Sequence, residues 1–185
     1  MIAELAHDLS RVTQTYIREP ASNKQISELR AAYPEIPDSL IQLLTFANGE
    51  ADSVFRYNGM IAFEAFFGSM EIVACSDFAT SHEVYRNLNQ FVTTKRIDNT
   101  SNWHEGLIPI SLGYDAHTIC IDMKPGAEGL IGQILALRPI AGSISVISNC
   151  LEELLSKTLE LYSVKNIDLA DDDCPLLNLA DFPGI

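Results

Sequence analysis

Histidine–glutamate pairs are the side chains of this chain most suggestive of metal chemistry. His82-Glu83 and His104-Glu105 resemble the start of a zinc-protease helix, in which a second histidine four residues after the first faces the same metal. Arg86 and Ile108 occupy those positions. The zinc-protease motif is therefore absent, and both pairs are interpreted as polar surface residues.

The cysteines give no metal or redox motif either. None of the four belongs to a C-x-x-C pair, and all are far apart, which leaves structural zinc and thioredoxin-type chemistry unsupported. An enzymatic alternative would use Cys120 with His117 and Asp122. Strand alternation places Cys120 and Asp122 on one face and His117 on the other, which argues against that site. We expect Cys120 to be a small core residue.

A glycine-rich stretch, Gly126–Gly132 (G-A-E-G-L-I-G), invites comparison with a phosphate-binding loop. It lacks the Lys-Ser/Thr of a P-loop and precedes a strand instead of opening a helix, so it is interpreted as a flexible turn. No G-x-S-x-G nucleophile motif occurs in the sequence. We therefore predict no enzyme activity, no catalytic residue, no metal ligand and no cofactor.

Acidity is the strongest property of the composition. The formal charge is −13, from 12 basic and 25 acidic side chains. Such a surface repels phosphate backbones, which argues against nucleic-acid binding, and it attracts a basic protein partner. That the acidity only maintains solubility stays open. The predicted partner-binding residues are Tyr114, Asp115, Asp122 and Glu128, expected as an acidic rim along one edge of a sheet.

Length and hydropathy indicate one cytoplasmic domain. The chain has 185 residues, of which 47% are hydrophobic, enough for one core. The first ten residues carry acids where a signal peptide needs bases. No apolar run approaches the roughly 20 residues of a membrane span. We expect a cytoplasmic protein without membrane contact.

Helical spacing and caps predict three helices at the start of the chain. Apolar residues from Ile2 to Ile17 recur at helical intervals and end before Pro20. Ser22 is a plausible N-cap for the second helix, and Pro37 fits the first turn of the third.

A fourth helix is predicted near the end of the chain, because Asn149 followed by Glu152 resembles a capping box that opens a closing helix.

Alternating or continuous apolar runs bounded by turns predict the strands. A hairpin is expected around Asn58-Gly59, a helix over Ser81–Phe91, and further strands over Leu107–Leu112, Thr118–Met123, Ile131–Leu137 and Ile144–Ile147. Short connections favour antiparallel pairing. The predicted fold is α+β, with a mostly antiparallel sheet of five to six strands flanked by helices. It forms one domain over 1–165, with the first helix (1–18) as an addition and 166–185 as an acidic tail packed on the domain.

Three segments in this order resemble the SUKH superfamily, the Smi/Knr-type domain. Ile26–Gly49 resembles its opening: a short helix, an Ile-Pro step and a helix ending in Asn-Gly. Trp103–Asp122 resembles its Trp, apolar-Pro-apolar strand, turn and strand ending in Asp. Gly129–Leu155 resembles the next strand and closing helix. The turn G-Y-D-A-H departs from the family's frequent second Gly-Asp.

The resemblance implies a non-enzymatic binding domain. Bacterial members of the superfamily are commonly immunity proteins that bind and neutralise a cognate toxin, often a nuclease, whereas fungal members are scaffolds in cell-wall signalling. The length of this chain favours the bacterial role. The expected partner is a toxin with a basic surface, and a general protein-interaction or regulatory module is the alternative.

Overall fold

Four α-helices are present among the residues that the computed structural model describes, which are 2–13, 19–47, 88–98, 106–112, 118–138 and 142–165. The helices are α1 (Ile2–Thr13), α2 (Asn23–Ala32), α3 (Asp38–Phe46) and α4 (Leu151–Lys165). Ser22 caps α2, as predicted, and it forms a reciprocal capping box with Gln25. Pro37 directly precedes α3, so the helix begins one residue later than the prediction that placed Pro37 in its first turn.

Four antiparallel strands form one sheet in the order β1-β2-β3-β4. They are β1 (Leu107–Leu112), β2 (Thr118–Asp122), β3 (Gln133–Arg138) and β4 (Ser143–Ser148). The predicted α+β class and antiparallel pairing are confirmed, with four strands in the described part of the chain against the five to six expected. The hairpin predicted at 54–63, most of the helix predicted at 81–91, and the tail at 166–185 lie outside the described residues.

Both faces of the sheet are apolar because both are covered. Ile121 and Ile134 point toward the helices and join a core with Leu40 and Leu154. The opposite face carries Cys120 and a second buried cluster, made of Ile97, Leu107, Leu135, Leu137 and Ile144. A short 3-10 helix (Leu88–Phe91) and the chain that follows it pack against this second cluster. The continuous apolar runs in β2 and β3 follow from this double burial.

Helix α1 contributes to the core. Ile2 is 1% exposed and Ala6 is fully buried, and the helix packs against α3 and α4. Burial of an isoleucine side chain stabilises a fold by about 1.5–3 kcal/mol. Helix α1 therefore shares the buried core of α3 and α4.

Candidate functional site

The connection between β2 and β3, residues 123–132, is called the β2–β3 loop. It carries the two large hydrophobic side chains that are exposed in the described part of the chain, Leu130 at 52% and Ile131 at 72%. Glu128 is exposed beside them. The prediction that β3 begins at Ile131 was wrong, since the strand begins at Gln133. Adjacent exposed apolar side chains are typical of binding surfaces.

Two backbone hydrogen bonds hold this loop against residues 94–98, the facing segment. Gly126 donates its N–H to the carbonyl of Arg96 at 3.0 Å, and Glu128 donates to the carbonyl of Lys95 at 3.1 Å. A Cβ on Gly126 would lie 2.3 Å from the Lys95 oxygen, and one on Gly129 would lie 2.2 Å from the Arg96 oxygen. The predicted turn is present, but its glycines permit close backbone contact instead of providing flexibility.

Gln133 links the loop, the facing segment and β2. Its fully buried amide donates from Nε2 to the Arg96 carbonyl at 2.8 Å and to Asp122 Oδ2 at 2.9 Å. Its Oε1 accepts from the N–H of Leu130 at 3.2 Å. Asp122 Oδ1 accepts from the N–H of Lys124 at 3.0 Å. These bonds fix the loop from inside, directly beneath its exposed tip.

The polar network continues from Arg96 to the start of α4. Arg96 Nη2 donates to Asn149 Oδ1 at 2.8 Å, and the N–H of Asn149 donates to Glu153 Oε2 at 2.8 Å. Lys157 Nζ lies 2.6 Å from Glu153 Oε1. The predicted capping box of Asn149 with Glu152 was wrong. Because α4 begins at Leu151, Asn149 lies two residues before the helix, and Glu153 is the side chain that accepts its N–H.

Glu153 makes the stability of the protein depend on pH. The hydrogen bonds from Lys157 and from the N–H of Asn149 lower the pKa of Glu153 from 4.5 to about 2. A carboxyl whose pKa is lower in the folded state stabilises the fold above its unfolded pKa, and this contribution is lost as pH falls from about 4.5 to about 2. With its side chain 30% exposed, we expect Glu153→Gln to cost about 1–2 kcal/mol near neutral pH.

Urea unfolding of wild type and Glu153→Gln at several pH values measures this difference, which should shrink toward zero in acid. Glu152→Gln, on the same turn of α4, is the matched control and should change the free energy of unfolding by less than about 0.5 kcal/mol. A gap between wild type and Glu153→Gln that is independent of pH would contradict the assignment.

The structure describes two of the four residues predicted to form an acidic rim, Asp122 and Glu128. Leu107 pairs with Asp122 at the end of the sheet that carries the β2–β3 loop. Tyr114 and Asp115 lie outside the described residues.

At the loop end, the two predicted acids differ in exposure and in partners. Asp122 is 1% exposed and holds the loop through its hydrogen bonds, so it has an internal role and no surface contact. Glu128 is exposed, with its Oε1 3.4 Å from Lys95 Nζ. Lys95 and Lys124 are both exposed here. The loop surface thus has mixed charge around an apolar tip.

A cavity of about 270 Å³ opens at the same end of the sheet, on the helix-covered face. Its walls come from the connection between α2 and α3 and from the adjoining ends of β1 and β2. The residues that line it include Tyr33, Glu35, Ile36, Ile108, Met123 and Lys124. Neither this cavity nor the Leu130-Ile131 tip was predicted. Two apolar residues between glycines in G-L-I-G were the available signal for the tip.

Of the side chains considered for catalysis, the two that the structure describes are both buried. Cys120 is fully buried among apolar residues, and Asp122 lies on the same strand face, as alternation predicted. His117 lies outside the described residues, as do His82-Glu83 and His104-Glu105. Within the described ranges, no group of three His, Cys, Asp or Glu side chains could hold a metal ion. None of the described helices is long and apolar enough to span a membrane.

The described structure defines a class of α+β domain in which an antiparallel sheet, closed by helices, presents an apolar loop and a small cavity at one end. The chain belongs to the SMI1/KNR4 family (SUKH-1), whose family model matches residues 20–157. The predicted superfamily is therefore confirmed over most of the chain. No curated protein matches the sequence.

Proposed function

We propose that this protein is a non-enzymatic immunity protein that binds and neutralises a cognate toxin with a basic surface, such as a nuclease. Membership of the SMI1/KNR4 family carries the proposal. The net charge of −13 supports it, because it favours long-range attraction of a basic protein. The protein would act in the cytoplasm by forming a stoichiometric complex.

The β2–β3 loop has the properties of a contact surface for such a partner. Leu130 and Ile131 are exposed, whereas the backbone beneath them is fixed by the facing segment and by Gln133. A rigid loop loses little conformational entropy on binding, so its apolar contacts count almost fully toward affinity. Glu128 adds a carboxylate at the margin of this apolar surface.

Co-expression with the toxin encoded by a neighbouring gene tests the proposed function. Growth should be rescued by this protein, and the two chains should elute as one complex in gel filtration. Failure to rescue growth together with separate elution would refute it. Stable cellular partners in the absence of any such toxin would instead support a general interaction or regulatory module.

Two substitutions in the loop should affect different steps of toxin binding. Ile131→Ser removes an exposed apolar contact, and we expect affinity to fall about tenfold or more through faster dissociation. Glu128→Lys reverses a marginal charge, and we expect severalfold slower association that depends on ionic strength. Surface plasmon resonance resolves both rates.

Ala127→Ser, an exposed substitution in the same loop, is the control for Ile131→Ser and should leave both rates unchanged. Asp115→Lys gives the same change in net charge as Glu128→Lys, at a residue outside the β2–β3 loop. If Asp115→Lys slows association and the two loop variants bind like wild type, the loop is not the contact surface.

A further inference from the structure

The cavity beside the α2–α3 connection has walls fixed by the backbone. Ile36 donates its N–H to the carbonyl of Tyr33 at 3.1 Å, which closes the turn on one side. Met123 donates its N–H to the carbonyl of Gly106 at 2.8 Å, which joins the strand ends on the other. The space of about 270 Å³ is therefore a feature of the folded chain that exists without a ligand.

The size and lining of this cavity suit one bulky apolar side chain. Its volume lies just below the roughly 300–1,000 Å³ typical of sites for drug-sized ligands. Tyr33, Ile36, Ile108 and Met123 each keep less than a tenth of their surface exposed and form an apolar floor. Methionine adapts its shape readily, and aromatic side chains that insert into such pockets dominate many protein interfaces.

Glu35 supplies a charge at the opening of the cavity. Its side chain is exposed, and it forms no ion pair with the described residues. The exposed Lys124 lines the opposite wall of the cavity, so the Glu35 carboxylate favours a lysine or arginine on its own side of the opening, next to the inserted side chain. The overall charge of −13 acts in the same direction.

We propose that this cavity receives a large apolar side chain from the protein partner, with an adjacent lysine or arginine of that partner bound to Glu35. The choice of a protein as the occupant rests on the proposed function. Lys124 lines the cavity and also belongs to the β2–β3 loop, so the cavity and the loop adjoin. One partner surface could therefore cover the cavity and the Leu130-Ile131 tip together.

Short peptides test the cavity without the toxin. N-acetyl-Phe-Arg-amide at millimolar concentration should shift the methyl NMR signals of Ile36, Ile108 and Met123, and leave Ile144, on the other face of the sheet, unchanged. N-acetyl-Gly-Arg-amide should shift none of them, and N-acetyl-Phe-Glu-amide should bind about tenfold more weakly. No shift, equal shifts at Ile144, or equal binding of the two Phe peptides would overturn the proposal. Concentration-dependent broadening of these signals without peptide would also overturn it, because a second copy would then be the occupant.

Charge reversal tests the same contact in the complex. Glu35→Lys should weaken toxin binding about tenfold, whereas Glu160→Lys, an exposed substitution on α4 with the same change in net charge, should not. Met123→Phe, which fills the cavity from its wall, should weaken both peptide and toxin binding if circular dichroism shows the fold intact. Equal affinities of Glu35→Lys and Glu160→Lys would refute the contact. If wild type binds the Phe-Arg peptide but no toxin, the proposed function fails and the cavity assignment stands.

Discussion

Gly129→Ala is expected to destabilise the protein by about 3 kcal/mol, or about 10 °C in melting temperature for a chain of this length. The new methyl group would lie 2.2 Å from the carbonyl oxygen of Arg96 and 2.6 Å from Pro125 Cβ. The oxygen cannot move away freely, because it accepts hydrogen bonds from Gly126 and Gln133. The clash therefore separates the β2–β3 loop from the facing segment.

Gly132→Ala is the matched control in the same loop. Gly132 has a φ of +86°, yet no heavy atom would lie within 4 Å of its added Cβ. Only the left-handed backbone conformation opposes the substitution, which costs about 1–2 kcal/mol. In thermal and urea unfolding, Gly129→Ala should be less stable than Gly132→Ala. A reversed order would show that the close approach of the two backbones does not limit stability.

Gln133→Leu should cost about 3 kcal/mol or more, although leucine has a similar size. The substitution removes both donors that Gln133 offers to Asp122 and to the Arg96 carbonyl, and the acceptor for the N–H of Leu130. Asp122 is 1% exposed, so its carboxylate cannot replace the lost hydrogen bond with water. Buried polar groups left unpaired cost about 1–3 kcal/mol each, and charged groups cost more. Urea unfolding measures the loss.

Gln42→Leu on the exposed side of α3 controls for the amide-to-leucine change and should alter stability by less than about 0.5 kcal/mol. Gln133→Glu provides a second comparison, since it places a carboxylate against Asp122 at the 2.9 Å contact. Repulsion between the two carboxylates should make this variant unstable near neutral pH. Protonation in acid removes the repulsion, so the stability of the variant should be partly restored there. Equal stability of wild type and Gln133→Leu would show that the network contributes nothing net.

The strands were predictable because their signals are local. The four apolar runs predicted as strands between residues 107 and 147 are strands with bounds within two residues of those expected, and Ser22 caps α2 as its sequence context indicated. The α4 cap shows the limit of such reasoning. A shift of one residue in the helix start exchanges Glu152 for Glu153 as the capping side chain, and both are glutamates.

The parts of the site that sequence reasoning missed depend on contacts distant in sequence. In the sequence, Gln133 is an ordinary polar residue within the strand predicted over Ile131–Leu137, yet its partner Arg96 is 37 residues away. No local pattern shows which carbonyl will face Gly126 or Gly129.

The participation of α1 in the core has a consequence for the exchange of this domain between genes. The segment shared with the family, residues 20–157, leaves out Ile2 and Ala6 and ends inside α4. A recombined gene that carried only this segment would encode a core lacking the side chains that α1 packs against α3 and α4. A transferred unit that keeps the buried residues Ile2, Ala6 and Thr158 therefore extends beyond residues 20–157 at both ends.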